Sequence, residues 1–274
     1  MANLDTNRGF GNVDQTKDPS YYARFMSQVA ALPAALAYKR RSFELLEPRP
    51  RGQFLDLGCG PGQDVFALAT LVQPHGRVVG VDNSQTMLAT AQEQAVALGL
   101  PTEFVLGDTH RLDFPDATFD GCRADRVLHH LANPAQALRE LVRVAQPGAR
   151  IVVFDPDFDA YTIDSPNRDL TRKLIHLLCD TTRNGWMGRQ LPRHFQDAGL
   201  IEVSCEAVTV VLPDYALANQ VVWLGRTVAQ AREAGLASDD ELTTWLEQLR
   251  EADRQGRFFA TVMGILASGR KPRS

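Results

Sequence analysis

Three glycines and two acids carry the clearest chemistry in the sequence. In LDLGCGPGQD (55–64), Asp56, Gly58, Gly60 and Gly62 fall in the spacing D-x-G-x-G-x-G, after a short apolar run and before the helical pattern VFALATLV. Glycines at such a turn permit positive φ and carry no Cβ, so a ligand can lie against the backbone. The following helix offers its free N–H groups and positive end. Twenty residues past Gly62, Asp82 closes the run RVVGVD, where a carboxylate can accept hydrogen bonds from both vicinal hydroxyls of a ribose. Farther on, Gly107, Asp108 and Thr109 follow the next apolar run. Asp108 can accept from an adenine amino group, and the Thr109 backbone can meet the ring nitrogens. Together these residues imply an adenosine-bearing ligand. Dinucleotide sites use G-x-G-x-x-G against a pyrophosphate. Here the spacing is G-x-G-x-G, and Asp56 would repel a pyrophosphate but suits an ammonium or sulfonium group.

A second group lies in RADRVLHHLANP (123–134). Histidine is the side chain whose ordinary pKa suits removal of a proton near neutrality. Adjacent side chains point apart, so one histidine is expected to face the ligand. His130 is the candidate base, with a hydrogen bond to the next helix start as the alternative, and His129 is placed on the acceptor side. Arg126 is expected to line the ligand site or to pair with Asp125. In FDPDFDAYTID (154–164), Asp155, Asp157 and Asp159 alternate; one is expected to face a cationic or hydroxylated substrate, and no metal site is expected. Tyr21, Tyr22, Phe25, Trp186, Trp223 and Phe258 are read as walls of a sizeable, mostly apolar acceptor chamber closed from water.

These residues need a scaffold that brings strand ends together. Apolar, β-branched runs alternate with amphipathic helical stretches, the pattern of a parallel sheet covered by helices on both faces. Strands are expected at 54–58, 77–82, 102–108, 118–124, 150–155, 201–212 and 258–270, with the turn QPGAR (146–150) leading into the fifth. Met87, Leu88, Ala91, Ala95 and Leu98 recur at helical spacing, with Gly99 at the stop. Three helical segments stand outside this alternation. Residues 1–48, with Pro33 dividing a helical pair, are expected to form an N-terminal lid. Caps at about 156–190 and 213–256 are expected within a domain spanning 49–274. In the first, Ser165 and Pro166 signal a helix start; within the second, SDDE (238–241) has capping-box form.

The 274 residues are 44% hydrophobic and 23% charged, which excludes a disordered, collagenous or coiled-coil chain. A net charge of −4 speaks for small-molecule work rather than nucleic acid. Cys59, Cys122, Cys179 and Cys205 form no C-x-x-C pair, the start has no signal-like apolar stretch, and no run reaches the ~20 apolar residues of a membrane span. A cytoplasmic protein with reduced thiols and no membrane contact is expected.

The segments LDLGCGPG, VVGVDNS, GDTHRLDFPDATFD, HHLANP and VAQPGARIVVFDPD, in this order, resemble a class I S-adenosylmethionine-dependent methyltransferase, close to the ubiquinone/menaquinone-biosynthesis-like (methyltransferase type 11) small-molecule branch. The resemblance covers roughly residues 50–155. It implies a Rossmann-like α/β fold with a seven-stranded sheet, strand seven antiparallel between five and six. It also implies that Gly58, Gly60 and Gly62 contact the methionine part, Asp82 the ribose, Asn83 and Met87 the adenine faces, and Asp108 its amino group. Implied too are methyl transfer to O, C or N of a small acceptor, a specialised metabolite or quinone-like compound, and release of S-adenosylhomocysteine. A homodimer is the assembly considered. The base-stacking (Asp/Asn/Ser)-Pro-Pro-aromatic sequence of amino-methylating nucleic-acid enzymes is replaced by RADR. A nicotinamide oxidoreductase and a repurposed S-adenosylmethionine-binding protein that does not methylate are the alternatives.

Overall fold

Alternation along each strand sets which helices it meets. In β1 (Gln53–Leu57), Phe54 joins one apolar cluster while Leu55 and Leu57 join another, and in β2 (Arg77–Asp82) Val78 parts from Val79 and Val81 in the same way. Both sheet faces are therefore apolar and must be covered, which is the condition for a parallel sheet layered between helices. The computed structural model describes residues 10–273, so the part of the expected lid at 1–9 lies outside them. Helices α1 (Pro19–Ala30), α2 (Pro33–Leu46) and α3 (Gln63–Leu71) precede and follow β1. Next come α4 (Gln85–Leu98), β3 (Thr102–Leu106), β4 (Phe119–Asp125), α5 (Pro134–Val144) and β5 (Ala145–Pro156). Pro33 stands at the first turn of α2, where its missing N–H costs nothing, and Gly99 closes α4 in the left-handed region.

The chain then forms β6 (Thr162–Ile163), α6 (Arg168–Thr181), α7 (Met187–Asp197), β7 (Ile201–Leu212), α8 (Tyr215–Val222), α9 (Leu224–Glu233), α10 (Asp239–Arg254) and β8 (Ala260–Arg270). The strand order is β3-β2-β1-β4-β5-β8, with β7 on the outer side of β8. The first five strands run parallel, and β8 is antiparallel to both β5 and β7. This is the expected arrangement with one correction: the sheet has eight strands, not seven. β8 runs past the end of its pairing with β5, and its first two residues, Ala260 and Thr261, pair with the two-residue β6. The expected turn at 146–150 is instead an irregular stretch inside β5, where Gly148 has φ 84 and the register against β4 shifts. The first cap helix is capped by Asn167, whose side chain accepts from Leu170 N, two residues past the expected start at Ser165.

The two cap segments make one helical body. Leu174, Leu178, Val228, Leu242 and Leu249 enclose Trp245, which is 2% exposed, and Trp245 Nε1 donates to Thr171 Oγ1 at 2.9 Å across the two segments. Ser238 and Glu241 form the expected capping box at the start of α10. Asp82, Asp125 and Asp155 all stand at carboxyl ends of parallel strands, at the edge where ligands of open α/β sheets bind.

Candidate active site

The loop from Gly58 to Gly62 leaves β1 with φ of 65° at Gly58, 52° at Gly60 and 88° at Gly62. A Cβ on Gly58 would meet Val127 Cγ2 at 2.5 Å, and one on Gly60 would meet Met26 Cε at 2.7 Å, so side chains there would both strain the turn and narrow the space above it. The Gly60 N–H donates to Asp82 Oδ2 at 2.9 Å and the Ser84 N–H to Asp82 Oδ1 at 2.9 Å. Burial pushes the Asp82 carboxyl above its ordinary value, and these backbone bonds pull it back in part.

Above the loop opens a cavity of about 830 Å³, within the range of small-ligand sites. Gly58, Gly60, Asp82, Asn83 and Met87 line it, as do Gly107, Asp108 and Thr109. Arg126 and His130 line it as well. Asp108 Oδ1 is bonded by the His110 ring Nδ1 at 2.7 Å and by the His110 N–H at 2.9 Å, which together hold its carboxyl below the usual range.

Two expected ligand residues are outside this cavity. Gly62 caps the start of α3 and is packed by Phe66, Ala91 and Phe104. Asp56 is buried at 2% exposure, and its counter-charge is Arg123, Nη1 to Oδ1 2.8 Å. The reason is register: Asp56 on β1 pairs with Arg123 on β4, so their side chains rise side by side on one face of the sheet. Arg123, itself 1% exposed, also bonds Asp64 at 2.9 Å and Asp125 at 3.0 Å. Lys39 bonds Asp64 and, at 2.9 Å, Asp125; Tyr38 Oη donates to Asp125 at 3.2 Å. Arg126 Nε reaches Asp125 at 3.2 Å. Three acids thus face three bases beneath the loop, the balance that buried charges require. Burial raises the Asp56 carboxyl to about 7 against the opposing pull of Arg123.

A second cavity, of about 140 Å³, shares Phe10, Met26, Arg126 and His130 with the first. Its other walls include Phe25, Phe154, Phe158, Trp223 and the ring of His129. Of the expected acceptor residues, Phe25, Trp223 and His129 are therefore brought together there. Tyr21, Tyr22, Trp186, Phe258, Asp155 and Asp157 line neither cavity. Tyr22 is buried edge-on against Phe10, with centroids 4.8 Å apart, while Tyr21 and Trp186 face outward at 42% and 50% exposure. Tyr21 and Phe25 lie one turn apart on the same helix face, with rings stacked at 6.2 Å between centroids, so packing rather than spacing leaves only Phe25 at the chamber. Phe258 packs into the cap body instead. Asp157 is held by Arg189, Nη2 to Oδ1 2.6 Å. Asp155 is 0% exposed: Phe154 points into the chamber, so the next residue of the strand points away, beneath the loop carrying Leu128 and His129.

The family described as "Methyltransferase domain" matches residues 49–247. The chain belongs to that family. It is a class I S-adenosylmethionine-dependent methyltransferase, and the nicotinamide alternative falls away. An uncharacterized 37.1 kDa protein in transposon TN4556 of Streptomyces fradiae is 41% identical over 239 residues, 87% of this chain and 68% of that protein. The 2-phytyl-1,4-naphtoquinone methyltransferase of Synechococcus elongatus is 36% identical over 120 residues, 43% of this chain; the methyltransferase spans about half the length of that relative, 52%. Among solved structures, Haemonchus contortus phosphoethanolamine N-methyltransferase 2, in complex with S-adenosyl-L-methionine, superposes with a TM-score of 0.61 at 16% identity, covering 97% of this chain and 60% of that one.

The methyltransferase's own residues fit the donor. The Gly58 and Gly60 backbone is bare where a Cβ would block approach, and the half-buried Asp82 carboxylate lines the cavity. Sequence reasoning missed the segment Phe10–Gln15, of which Phe10, Gly11, Asn12 and Val13 line the larger cavity. Asp14 ties it down, accepting from Ser84 Oγ at 2.6 Å and Gln85 N at 2.7 Å at the start of α4, where the helix's positive end favours a carboxylate. The only sequence signal was an acid placed opposite that helix start, which no periodicity reveals. Asn184 was missed as well: its Nδ2 donates to the carbonyls of Leu128, His129 and Leu131 at 3.2, 3.3 and 2.8 Å. Among the described residues no helix is long and apolar enough to cross a membrane.

Proposed function

We propose that the chain methylates a small organic acceptor that places one ring-sized apolar group in the 140 Å³ chamber. The observation that carries this is the chamber itself: an apolar cavity meeting the larger cleft at Phe10, Met26, Arg126 and His130. A cavity of roughly 150 Å³ holds benzene, so the acceptor end that enters is smaller than the sizeable one the aromatic residues suggested. In this reading Asp82 accepts from the ribose hydroxyls, Asn83 and Met87 flank the adenine, and Gly107, Asp108 and Thr109 meet its polar edge. S-adenosylmethionine supplies an electrophilic methyl group on a positively charged sulfur. The protein's task is then to hold the acceptor in line and keep water out. Residues 10–48, with Phe10, Phe25 and Met26 on the cavity walls, serve as the lid.

Incubation with methyl-labelled S-adenosylmethionine and a panel of substituted phenols, naphthols and saturated amines tests this. Label is expected in single-ring acceptors. Val210→Trp, which fills the chamber from β7, is expected to remove at least nine-tenths of the turnover with S-adenosylhomocysteine affinity within about twofold of the parent. Turnover indifferent to that filling would refute the chamber as the acceptor site.

A further inference from the structure

Arg126 brings a guanidinium with unused donors to a wall common to the cleft and the apolar chamber. We propose that it selects the acceptor: a single-ring compound that enters as an anion, its carboxylate or ionised phenol oxygen held by Arg126 and its ring in the chamber. This rests on the methyltransferase reading of the same site and names the class of acceptor that site takes.

Two arginines three residues apart, one in β4 and one just past its end, are used differently. Arg123 is 1% exposed, and its Nε, Nη1 and Nη2 all bond, to Ser42, Asp56, Asp64 and Asp125. Arg126 stands where the chain leaves the strand with φ of 59°, and its backbone N–H donates to Phe154 O at 2.7 Å. Its side chain keeps 25% exposure and lines both cavities. Among the described residues, its one side-chain hydrogen bond runs from Nε to Asp125 Oδ1 at 3.2 Å. The two Nη atoms therefore keep all their N–H donors for a ligand, in the planar fork that matches a carboxylate and also suits a single anionic oxygen.

The charge around this guanidinium is short of anions. Asp125 also takes Lys39 Nζ at 2.9 Å, Arg123 Nη2 at 3.0 Å and Tyr38 Oη at 3.2 Å, so one carboxylate is shared by three cations. Burial raises the Asp56 carboxyl to about 7, which leaves the cluster with a positive excess below that pH. With the methyl donor bound, a sulfonium charge joins it. An ammonium acceptor would add one more, whereas an anion offsets the excess, and apolar walls magnify the difference. The chamber also lacks a good proton acceptor. Burial lowers the His129 ring to about 3, helped by the Arg126 charge, and it raises Asp155 and the Tyr38 and Tyr161 hydroxyls. An acceptor already ionised in water needs none. Its oxygen attacks the methyl carbon with an electron pair it already holds, and the C–S pair stays on sulfur. The products are a neutral ester or ether and an uncharged sulfur, so no proton moves and the base expected at His130 is not required.

The test compares the parent with Arg126→Met, which removes the charge, and Arg126→Lys, which keeps the charge without the fork. Calorimetry with S-adenosylhomocysteine comes first, and all three are expected within about threefold. Ring compounds are then titrated into the S-adenosylhomocysteine complex. In the parent, benzoate and ionised 4-nitrophenol are expected to bind about tenfold or more tightly than benzamide and benzylamine, the scale of a hydrogen bond to a charged group. Arg126→Met is expected to erase that margin while benzamide binding holds, and Arg126→Lys to keep part of it. Methyl-labelled S-adenosylmethionine then tells the two sources apart, by label in methyl benzoate for a carboxylate or in 4-nitroanisole for a phenolate. Benzamide binding the parent as tightly as benzoate, an anion margin that survives Arg126→Met, or label passing to benzylamine alone would overturn the proposal while leaving the methyltransferase reading intact. A folded Arg126→Lys that loses S-adenosylhomocysteine affinity beyond about tenfold would overturn it too, by giving the guanidinium to the donor's own carboxylate. Failure of the parent to bind S-adenosylhomocysteine would instead sink the methyltransferase reading itself.

Discussion

Replacing Asp82 by Ala is expected to weaken S-adenosylhomocysteine binding by about 100-fold. The carboxylate lines the cavity with both oxygens anchored by backbone donors, leaving their remaining lone pairs for two ribose hydroxyls. Hydrogen bonds to charged groups contribute about 1.5–3 kcal/mol each. Loss of the pair, offset by water entering the space, leaves about 2.7 kcal/mol, and each 1.4 kcal/mol is a factor of ten. The sign with pH follows from the raised carboxyl: binding needs the ionised form, so affinity drops on acidification earlier than it would for an exposed aspartate. Titration calorimetry at two pH values measures both effects. Binding by Asp82→Ala within a factor of three of the parent would remove this residue from the site.

Arg123→Ala is expected to cost the fold about 3–5 kcal/mol, because it strands buried carboxylates that share one guanidinium. Arg123 touches Asp56, Asp64 and Asp125 at 2.8–3.0 Å from a site 1% exposed to solvent. The pH dependence sharpens the expectation. Asp56 is already raised to about 7 with Arg123 present, and removing the cation raises it further. A raised carboxyl means that the folded state binds more protons than the unfolded one between the two pKa values, so stability falls as pH rises through that window. The penalty should be larger at pH 8 than at pH 5, read by urea unfolding. A cost below about 1 kcal/mol at pH 8 would show that the cluster is wetter than the structure indicates.

The glycine turn, Asp82 and the strand ends were legible because each is a local signal: a turn needing positive φ, an acid closing an apolar run, a breaker before a strand. Asp56 shows where such signals stop. Its neighbours Leu55 and Leu57 said that its side chain points to the other face, but only the register of β1 against β4 reveals Arg123 as its partner. Asp155 illustrates the same limit, since its position beneath the Leu128–His129 loop depends on which face of β5 turns toward the chamber. Among the aromatics, residue type identified candidates and tertiary packing chose: Phe25 faces the cavity while Tyr22 supports Phe10. The strap at Phe10–Gln15 and the two-residue β6 have no period to detect; each exists because a longer element offers it an edge or an end.

The most direct test is a crystal structure of the protein with S-adenosylhomocysteine. The ribose hydroxyls are expected on Asp82, the adenine between Asn83 and Met87, and the sulfur at the seam between Arg126 and His130, facing the apolar chamber. A ligand lodged outside this cleft, or one whose sulfur points away from the chamber, would contradict the account.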